Sequence, residues 1–299
     1  MTRYKVSDRY ISVEEYIASL QKLICTALEK TDGVSFSEDN WEREEGGGGK
    51  TKIIANGKIF EKGAVNISGV FGMLSEDAAL SLNIKSQDFA ACGLSLILHP
   101  YSPKIPTIHL NIRFFELADG KSWFGGGTDL TPYYPYTEDF RHFHNILKES
   151  CNSVIPGLYS IYKKQCDEYF TIKHRKEMRG IGGIFFDYLN GDDENNLKLI
   201  KSVGDSFLKS YIPIVEKRMN EKFSDDDKFF QLIRRGRYIE FNLIYDRGTL
   251  FGLKTGGRIE SVLASLPPEA KYIYNYKPQR GSVQEEMLHY YQPKSWADV

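Results

Sequence analysis

Polar side chains that could do chemistry alternate with apolar ones in the segment IPTIHLNIRFFEL, residues 105–117. His109, Asn111 and Arg113 occupy every second position, which predicts a β-strand with these three side chains on one face. An imidazole, an amide and a fixed cation in one row suit proton transfer and the binding of an anionic ligand. The alternative is a strand whose polar face is only solvated.

A run of three glycines precedes a single carboxylate, Asp129, in WFGGGTDLTPYY, residues 123–134. Glycine is unfavourable in an ordered chain unless something must approach its backbone closely. We interpret glycines 125–127 as a place where a ligand reaches the main chain beside Asp129. A tight turn capped by Asp129 is the alternative interpretation.

Arginines beside glycines form a second theme. Arg247 lies in YDRG, Arg258 in TGGR, and Arg179 precedes GIGG. Glycine neighbours let the backbone and a guanidinium group approach a ligand carboxylate together. For Arg247 and Arg258 this interpretation competes evenly with ordinary surface charge. Arg234 and Arg235 are predicted to be surface charges.

The histidines are scattered along the chain. His99 ends the strand-like segment CGLSLILHP, which places Ser95, Ile97 and His99 on one face, where His99 could meet His109. Further histidines are His142, His144 and His174. They could form a metal site or could act as hydrogen-bonding and acid–base groups. A metal is the weaker alternative, because no pair has a tight ligand spacing such as HExxH.

The hydrophobic pattern indicates the elements that must position these residues. Strands are predicted at residues 92–99, 107–116, 183–189 and 237–245, and helices at residues 138–150, 157–170, 194–221, 258–265 and 283–290. A further helix is predicted from a capping box of Ser12 and Glu15 to about Lys30. Asn56-Gly57 predicts a hairpin turn. Because helices do not regularly separate the strands, an antiparallel or mixed sheet with packed helices is favoured.

The glycine-rich segment WEREEGGGGKT, residues 41–51, ends like a phosphate-binding loop. The first glycine of that pattern would fall at Glu44, and no apolar strand precedes the segment. We therefore predict a flexible or interface loop instead of a nucleotide site.

The composition is that of a globular protein, with 41% hydrophobic and 26% charged residues in 299. We predict one domain, 1–299, with an N-terminal helical segment at 1–35. A net charge of −1 gives no reason to expect nucleic acid or an anionic membrane as the main partner. The polar N-terminus, the lack of long apolar runs and four separated cysteines predict a cytoplasmic protein without integral membrane contact. The many aromatic residues indicate a ring-rich core or a pocket for a large flat ligand.

Five long motifs together identify a family resemblance: WEREEGGGGK, HPYSPKIPTIHLNIRFFE, WFGGGTDLTPYY, KHRKEMRGIGGIFFD and RRGRYIEFNLIYDRGTLFGLKTGGRIESVLASLPP. The chain resembles the oxygen-dependent coproporphyrinogen III oxidases over most of its length. The resemblance implies an α+β fold with a large central antiparallel sheet flanked by helices on both faces, and an active site in a deep cleft. It also implies a homodimer, with residues 238–273 helping to form the interface.

The reaction that the resemblance implies is an oxidative decarboxylation of coproporphyrinogen III. The ring A and B propionates become vinyl groups, O2 is the acceptor, and CO2, H2O2 and protoporphyrinogen IX are the products. No organic cofactor is expected, and no dinucleotide-binding glycine motif follows a strand. A divalent metal stays open. A tetrapyrrole-binding carrier without turnover is the alternative function, and a histidine-ligated metal oxygenase acting on another acid is a weaker one.

The resemblance also implies roles for particular residues. His109 would be the proton donor, and Asp129 the carboxylate that meets the pyrrole N–H groups. The substrate-binding residues would be Ser95, Asn111, Ile112, Arg113, Gly256, Gly257 and Arg258. Arg179 and Arg247 are added to this set because arginines should hold the substrate carboxylates. Some family members are described as binding a metal through histidines that match His99, His109, His144 and His174. One departure is Tyr188, where many relatives have a second acidic residue after GGIFFD.

Overall fold

The computed structural model describes residues 5–81, 84–254 and 257–297. Its longer helices are α1 (Asp8–Asp32), α3 (Thr137–Asn152), α4 (Leu158–Tyr169), α5 (Asp193–Arg218) and α6 (Asp225–Ile244). Shorter helices are α2 (Glu76–Ser81), α7 (Arg247–Lys254), α8 (Ile259–Leu263) and α9 (Val283–Leu288). The strands are β1 (Ser37–Glu42), β2 (Gly47–Ala55), β3 (Phe60–Met73), β4 (Asp88–Pro100), β5 (Thr107–Leu117), β6 (Ser122–Thr131), β7 (Thr171–Ile172), β8 (Glu177–Met178) and β9 (Gly182–Leu189).

One antiparallel sheet of seven strands organises the fold, in the order β1-β2-β3-β4-β5-β6-β9. Its register sets Ser95 opposite Asn111, and Asn111 opposite Gly127. Directly paired residues point to the same face of a sheet. The polar rows of β4 and β5 and the glycine run of β6 therefore lie side by side.

Helices cover both faces of the sheet, as predicted. Ile108, Leu110 and Ile112 of β5 are fully buried in the main core together with apolar residues of α1, α3 and α5. On the opposite face, Tyr238 of α6 packs against Ile97 of β4. The fold is thus α+β with a central antiparallel sheet.

Helix α1 begins one turn before the predicted capping box of Ser12 and Glu15, so that prediction is wrong. The N-cap is Ser7, whose hydroxyl accepts the backbone N–H of Tyr10. The Glu116 carboxylate accepts hydrogen bonds from the Ser7 backbone and hydroxyl, which fixes the helix start on β5. The predicted apolar stripe of this helix is buried: Ile17, Leu20, Ile24 and Leu28.

The segment 237–245 was predicted as a strand and is instead the C-terminal half of α6. A capping box between Ser224 and Asp227 starts this helix well before the predicted strand. Phe230, Ile233 and Phe241 are buried at helical spacing. A short alternation of polar and apolar residues fits both the strand period of 2 and the helix period of about 3.6. The N-cap upstream shows that this segment is helical.

Arg234 and Arg235, predicted to be surface charges, are buried on α6. Arg234 pairs with Glu177 at 2.7 Å. Arg235 pairs with Glu61 at 2.7 Å and donates to the carbonyl oxygen of Pro100. A buried charge must be paired. The two guanidinium groups find their partners on the strands, and these contacts hold α6 against those strands.

The glycine-rich segment at 41–51 was predicted as a loop and forms most of the β1–β2 hairpin. Gly49 faces the ring of Trp41 across the two strands, and a Cβ there would lie 2.4 Å from that ring. The second predicted hairpin is confirmed, because Asn56 and Gly57 connect β2 to β3, with Asn56 at φ 55°. The carboxylate of Asp32 accepts three backbone N–H groups from this turn.

Candidate active site

A cavity of about 1100 Å³ opens on the polar face of the sheet, opposite the main core. Strands β3 to β6 form its floor, helix α7 together with Gly257 and Arg258 forms one wall, and the β1–β2 turn forms another. Its polar lining includes Asn66, Ser68, Ser95 and Asn111. Four arginines also line it: Arg43, Arg113, Arg247 and Arg258. A volume of this order holds a ligand larger than most metabolites.

Most of the expected substrate-binding residues meet at this cavity. Those that line it are Ser95, Asn111, Arg113, Arg247, Gly257 and Arg258. Gly256 lies outside the described residues. The side chain of Ile112 points away from the cavity into the main core, where its Cδ1 approaches Gly204 of α5. Strand alternation makes this unavoidable, since both of its neighbours face the cavity.

His109, Asp129 and Arg179 form a connected group beside the cavity, outside the residues that line it. Asp129 Oδ1 lies 3.0 Å from His109 Nδ1 and 2.8 Å from Arg179 Nη2. The Asp129 and Arg179 side chains are 1% and 2% exposed, whereas His109 is 21% exposed. Only His109 is open to solvent, two residues along the strand from cavity-lining Asn111. Asp129 therefore stands behind His109 instead of projecting into open space as expected.

The carboxylate fixes the tautomer of His109. An ionised carboxylate only accepts hydrogen bonds, so Nδ1 of His109 must carry the proton that it donates to Asp129. Nε2 of a neutral ring is then the free proton-exchanging nitrogen. The geometry suits a histidine that gives or takes a proton at Nε2.

Asp129 stays ionised because of its cation. Burial by itself raises the pKa of a carboxyl group, but Arg179 and the hydrogen bond from His109 outweigh it and lower the pKa of Asp129. Arg179 lies between the rings of Phe170 and Tyr238, with its central carbon 4.3 and 4.4 Å from the ring centroids. Its Nη1 donates to Asn242 at 2.7 Å. Arg179 was expected to bind substrate, but its guanidinium group is buried and bound to Asp129 and Asn242.

At each glycine of the run 125–127, a neighbouring protein atom leaves no room for a side chain. A Cβ on Gly125 would lie 2.6 Å from Arg113 Nε, and one on Gly126 would lie 2.6 Å from the carbonyl oxygen of Asn111. A Cβ on Gly127 would lie 2.3 Å from the carbonyl oxygen of Ile184 in β9. The run is a strand and not a turn, which excludes the turn interpretation, and close neighbours within the protein require its glycines.

Asp187 joins two of the cavity arginines and was missed by sequence reasoning. Its Oδ2 lies 2.7 Å from Arg113 Nη2 and 3.3 Å from Arg247 Nη2. Cavity-lining Arg258 pairs with the half-exposed Asp39 of β1. Alternation along GGIFFD offered the signal, because β9 residues 183, 185 and 187 share the face of Asp129.

Similarity to known proteins shows the family to which this chain belongs. Residues 12–296 match the family model described as coproporphyrinogen III oxidase. The chain belongs to this family. A relative from a strain of Prochlorococcus marinus, named oxygen-dependent coproporphyrinogen-III oxidase, is 48% identical over 296 residues. That alignment covers 89% of this chain and 86% of the relative. None of the helices in the described parts of the chain could span a lipid bilayer.

The four histidines that a metal-binding coproporphyrinogen III oxidase would use are not assembled here. Buried His99 is held by the carbonyl oxygen of Ser265 at 2.9 Å and by Thr107 Oγ1 at 3.3 Å. Burial, and then nearby Arg235, lower its pKa well below the usual range, so it is neutral. It shares a sheet face with His109 but no hydrogen bond joins the two within the described residues.

His144 and His174 lie in other surroundings. His144 is buried beside Tyr159, 2.8 Å from Nδ1 to the hydroxyl, and burial lowers its pKa well below the usual range. His174 bonds to Glu240 and to the Tyr245 hydroxyl, each at 2.8 Å. Within residues 5–81, 84–254 and 257–297 no three His, Cys, Asp or Glu side chains are grouped to hold a metal. The predicted ligand set therefore does not fit a metal ion, and its geometry is that of separate hydrogen-bonded histidines.

A row of aromatic rings forms one end of the cavity in this family member. Phe115 stacks on Phe89 at 5.4 Å and on Trp123 at 4.5 Å, and Trp123 contacts Tyr188 at 5.5 Å. All four residues line the cavity. Other rings fill the main core, which confirms the first interpretation of the aromatic composition, and a flat ligand in this cavity stays a prediction.

Proposed function

We propose that this protein catalyses the oxygen-dependent oxidative decarboxylation of coproporphyrinogen III to protoporphyrinogen IX. Membership of the family and the printed name of the relative carry the proposal. The ring A and B propionates become vinyl groups, and each conversion uses one O2 and releases CO2 and H2O2.

The balance of one conversion defines what the protein must supply. A hydride equivalent leaves the propionate carbon bonded to the pyrrole, and the bond to the carboxylate breaks to release CO2. The electron pair of that bond forms the vinyl double bond. O2 accepts the hydride equivalent as hydroperoxide, and one proton completes H2O2. The protein therefore needs carboxylate-binding groups and one proton donor.

The cavity supports this requirement. Its arginines are the residues that bind carboxylates best, because a guanidinium group can donate two parallel hydrogen bonds. The aromatic row of Phe89, Phe115, Trp123 and Tyr188 offers flat surfaces to the pyrrole rings. We assign the substrate to this cavity, with Ser95 and Asn111 on its floor.

His109 is the group we assign to proton transfer. Its Nδ1–H is held by Asp129, which leaves Nε2 to exchange the proton. Asp129 and Arg179 orient His109 and are positioning residues, because both are shut off from the cavity by burial. The reaction as written above needs no organic cofactor. We assign no metal to it, because the four histidines lie in separate surroundings.

We also propose that the protein is a homodimer that works in the cytoplasm. Exposed apolar residues are frequent in the expected interface region 238–273, including Leu243, Ile244, Leu253, Ile259, Tyr272 and Ile273. The four cysteines are buried and unpaired, as in a reducing compartment. Sedimentation of Ile244→Lys tests the dimer, with Ile161→Lys as the control at an exposed site on α4. A monomeric wild-type protein would contradict it.

An aerobic assay with chelator-treated protein tests the function. Freshly reduced coproporphyrinogen III is supplied, and the products are oxidised to fluorescent porphyrins and separated. We expect the tricarboxylic and dicarboxylic porphyrins to appear. Tight binding of the macrocycle without product would instead support a tetrapyrrole carrier. Activity that returns only with an added divalent metal would contradict the role given to the histidines.

A further inference from the structure

Every arginine that lines the cavity within the described residues already has an acidic partner. Arg43 pairs with Glu45, Arg258 with Asp39, and both Arg113 and Arg247 with Asp187. The acidic partners differ in burial. Side chains of Glu45 and Asp39 are 64% and 46% exposed, whereas Asp187 is 12% exposed. Water readily replaces Glu45 and Asp39 as partners of their arginines, because both side chains are open to solvent. Asp187 is nearly buried and stays beside its two arginines.

One oxygen of Asp187 joins the two guanidinium groups. Oδ2 lies 2.7 Å from Nη2 of Arg113 and 3.3 Å from Nη2 of Arg247, while Oδ1 accepts the backbone N–H of Tyr188. Within this group of three side chains, the two cations exceed the single anion by one charge, and Asp246 is a further anion that acts on Arg113. The excess positive charge of the group complements one ligand carboxylate.

The surroundings of this group are arranged to hold it. Gly125 leaves the space that Arg113 Nε and Asp187 Oδ1 occupy, since a Cβ there would lie 2.6 and 2.7 Å from them. Tyr188 adopts a left-handed backbone, φ 53°, as it donates to Asp187. Such a conformation is uncommon for a non-glycine residue and persists only where the surroundings determine it. Arg247 lies over the ring of Tyr169, 5.0 Å from its centroid.

We propose that Asp187 is a positioning residue that holds Arg113 and Arg247 together as one clamp for a carboxylate of the substrate. Without the shared anion, two guanidinium groups at this distance repel one another and separate. The ligand identity rests on the proposed function, whereas the alignment of the two arginines by Asp187 does not. Asp187 itself need not touch the substrate.

Asp187→Asn tests the proposal, because it keeps the shape and removes the charge. We expect the KM for coproporphyrinogen III to rise about 10- to 100-fold with a much smaller change in kcat, since a charge-assisted contact is misaligned. Asp187→Glu should recover part of the loss. Glu194→Gln, which removes an exposed ion pair with Lys198 on α5, is the control and should match the wild type. A tighter or unchanged KM for Asp187→Asn would overturn the proposal.

A combined variant separates positioning from a general structural effect. In a protein that carries Arg113→Gln and Arg247→Gln, Asp187→Asn should change KM no further, because nothing remains to align. A further large rise in KM would show that Asp187 acts on something else.

A crystal structure of Asp187→Asn makes the proposal independent of the proposed function. We expect the two guanidinium groups to move apart. Guanidinium groups that stay in place would overturn the proposal even if the wild type converts coproporphyrinogen III. A wild-type protein that does not convert it would refute the function alone.

Discussion

His109 donates its Nδ1–H to Asp129, and Asp129 in turn is held by the buried Arg179. The proton-exchanging ring is thus linked to a buried ion pair. Activity and stability can be separated on this basis, because changing His109 leaves the ion pair intact whereas changing Asp129 breaks it.

His109→Gln should lower kcat strongly and leave the fold intact. Loss of a positioned acid–base group typically costs about 10²- to 10⁴-fold in rate. Steady-state kinetics with coproporphyrinogen III measures it. His142→Gln serves as the control, because partly buried His142 of α3 contacts the carbonyl oxygen of Lys209 and does not line the cavity. A His109→Gln enzyme with wild-type kcat would remove His109 from the reaction.

Asp129→Asn should destabilise the protein more than His109→Gln does. It leaves the Arg179 guanidinium buried without a counter-ion, a defect that typically costs about 3–5 kcal/mol. Urea unfolding of both variants measures the difference. Equal free energies of unfolding for the two would mean that water or Asn242 compensates the arginine.

Two substitutions in the glycine run should affect different properties, one substrate binding and the other stability. Gly125→Ala crowds Arg113 and Asp187 on the cavity side, so KM should rise while the protein stays folded. Gly126→Ala places a methyl group against the Phe186 ring and the Asn111 carbonyl oxygen on the core side. It should lower stability by about 1–3 kcal/mol, the usual effect of overpacking. Kinetics and thermal unfolding of the pair test this, and reversed effects would contradict the assigned faces.

The cavity arginines should contribute unequally to binding. Arg113→Gln should raise KM about 10- to 100-fold, since it removes a charge-assisted contact on the cavity floor. Arg258→Gln should raise it less, because its partner Asp39 is 46% exposed and water screens that pair, whereas Asp187, the partner of Arg113, is 12% exposed. KM values for the two variants provide the comparison. A larger effect at Arg258 would instead assign the main carboxylate contact to Arg258.

The buried histidines predict the pH dependence of stability. Burial lowers the pKa of His99 and His144, so the folded protein keeps both neutral while the unfolded chain protonates them below about pH 6.5. The unfolded state then binds more protons, and the free energy of unfolding should fall as the pH drops below that value. Urea titrations at several pH values check this. His144→Gln should lower stability at neutral pH and reduce the slope, whereas an unchanged slope would contradict a buried neutral ring.

Strand β5 could be predicted from sequence because its pattern is strict. Polar His109, Asn111 and Arg113 alternate with apolar residues from Thr107 to Phe114, and only period 2 fits this stretch. Residues 237–245 could not be predicted in this way. There the polar residues also fit a helix, and the deciding signal was the Ser224 cap more than ten positions upstream.

Partners distant in sequence explain the remaining errors. Arg234 and Arg235 were predicted to be surface charges because their acidic partners, Glu177 and Glu61, lie far away in the chain. The scattered histidines could not be placed for the same reason. His99 is held by Ser265, a contact across 166 positions that no local pattern indicates.

The burial of the cysteines has a consequence for an enzyme that makes peroxide. Peroxide oxidises the thiolate form of cysteine, and the thiol reacts slowly. Burial raises the pKa of Cys25 and of Cys151 to about 12, and it also raises the pKa of Cys92 and Cys166. Cys92 lies beside the cavity in which the proposed reaction would release H2O2. The fold thus keeps all four sulfurs in their unreactive form, and the protein can tolerate its own product.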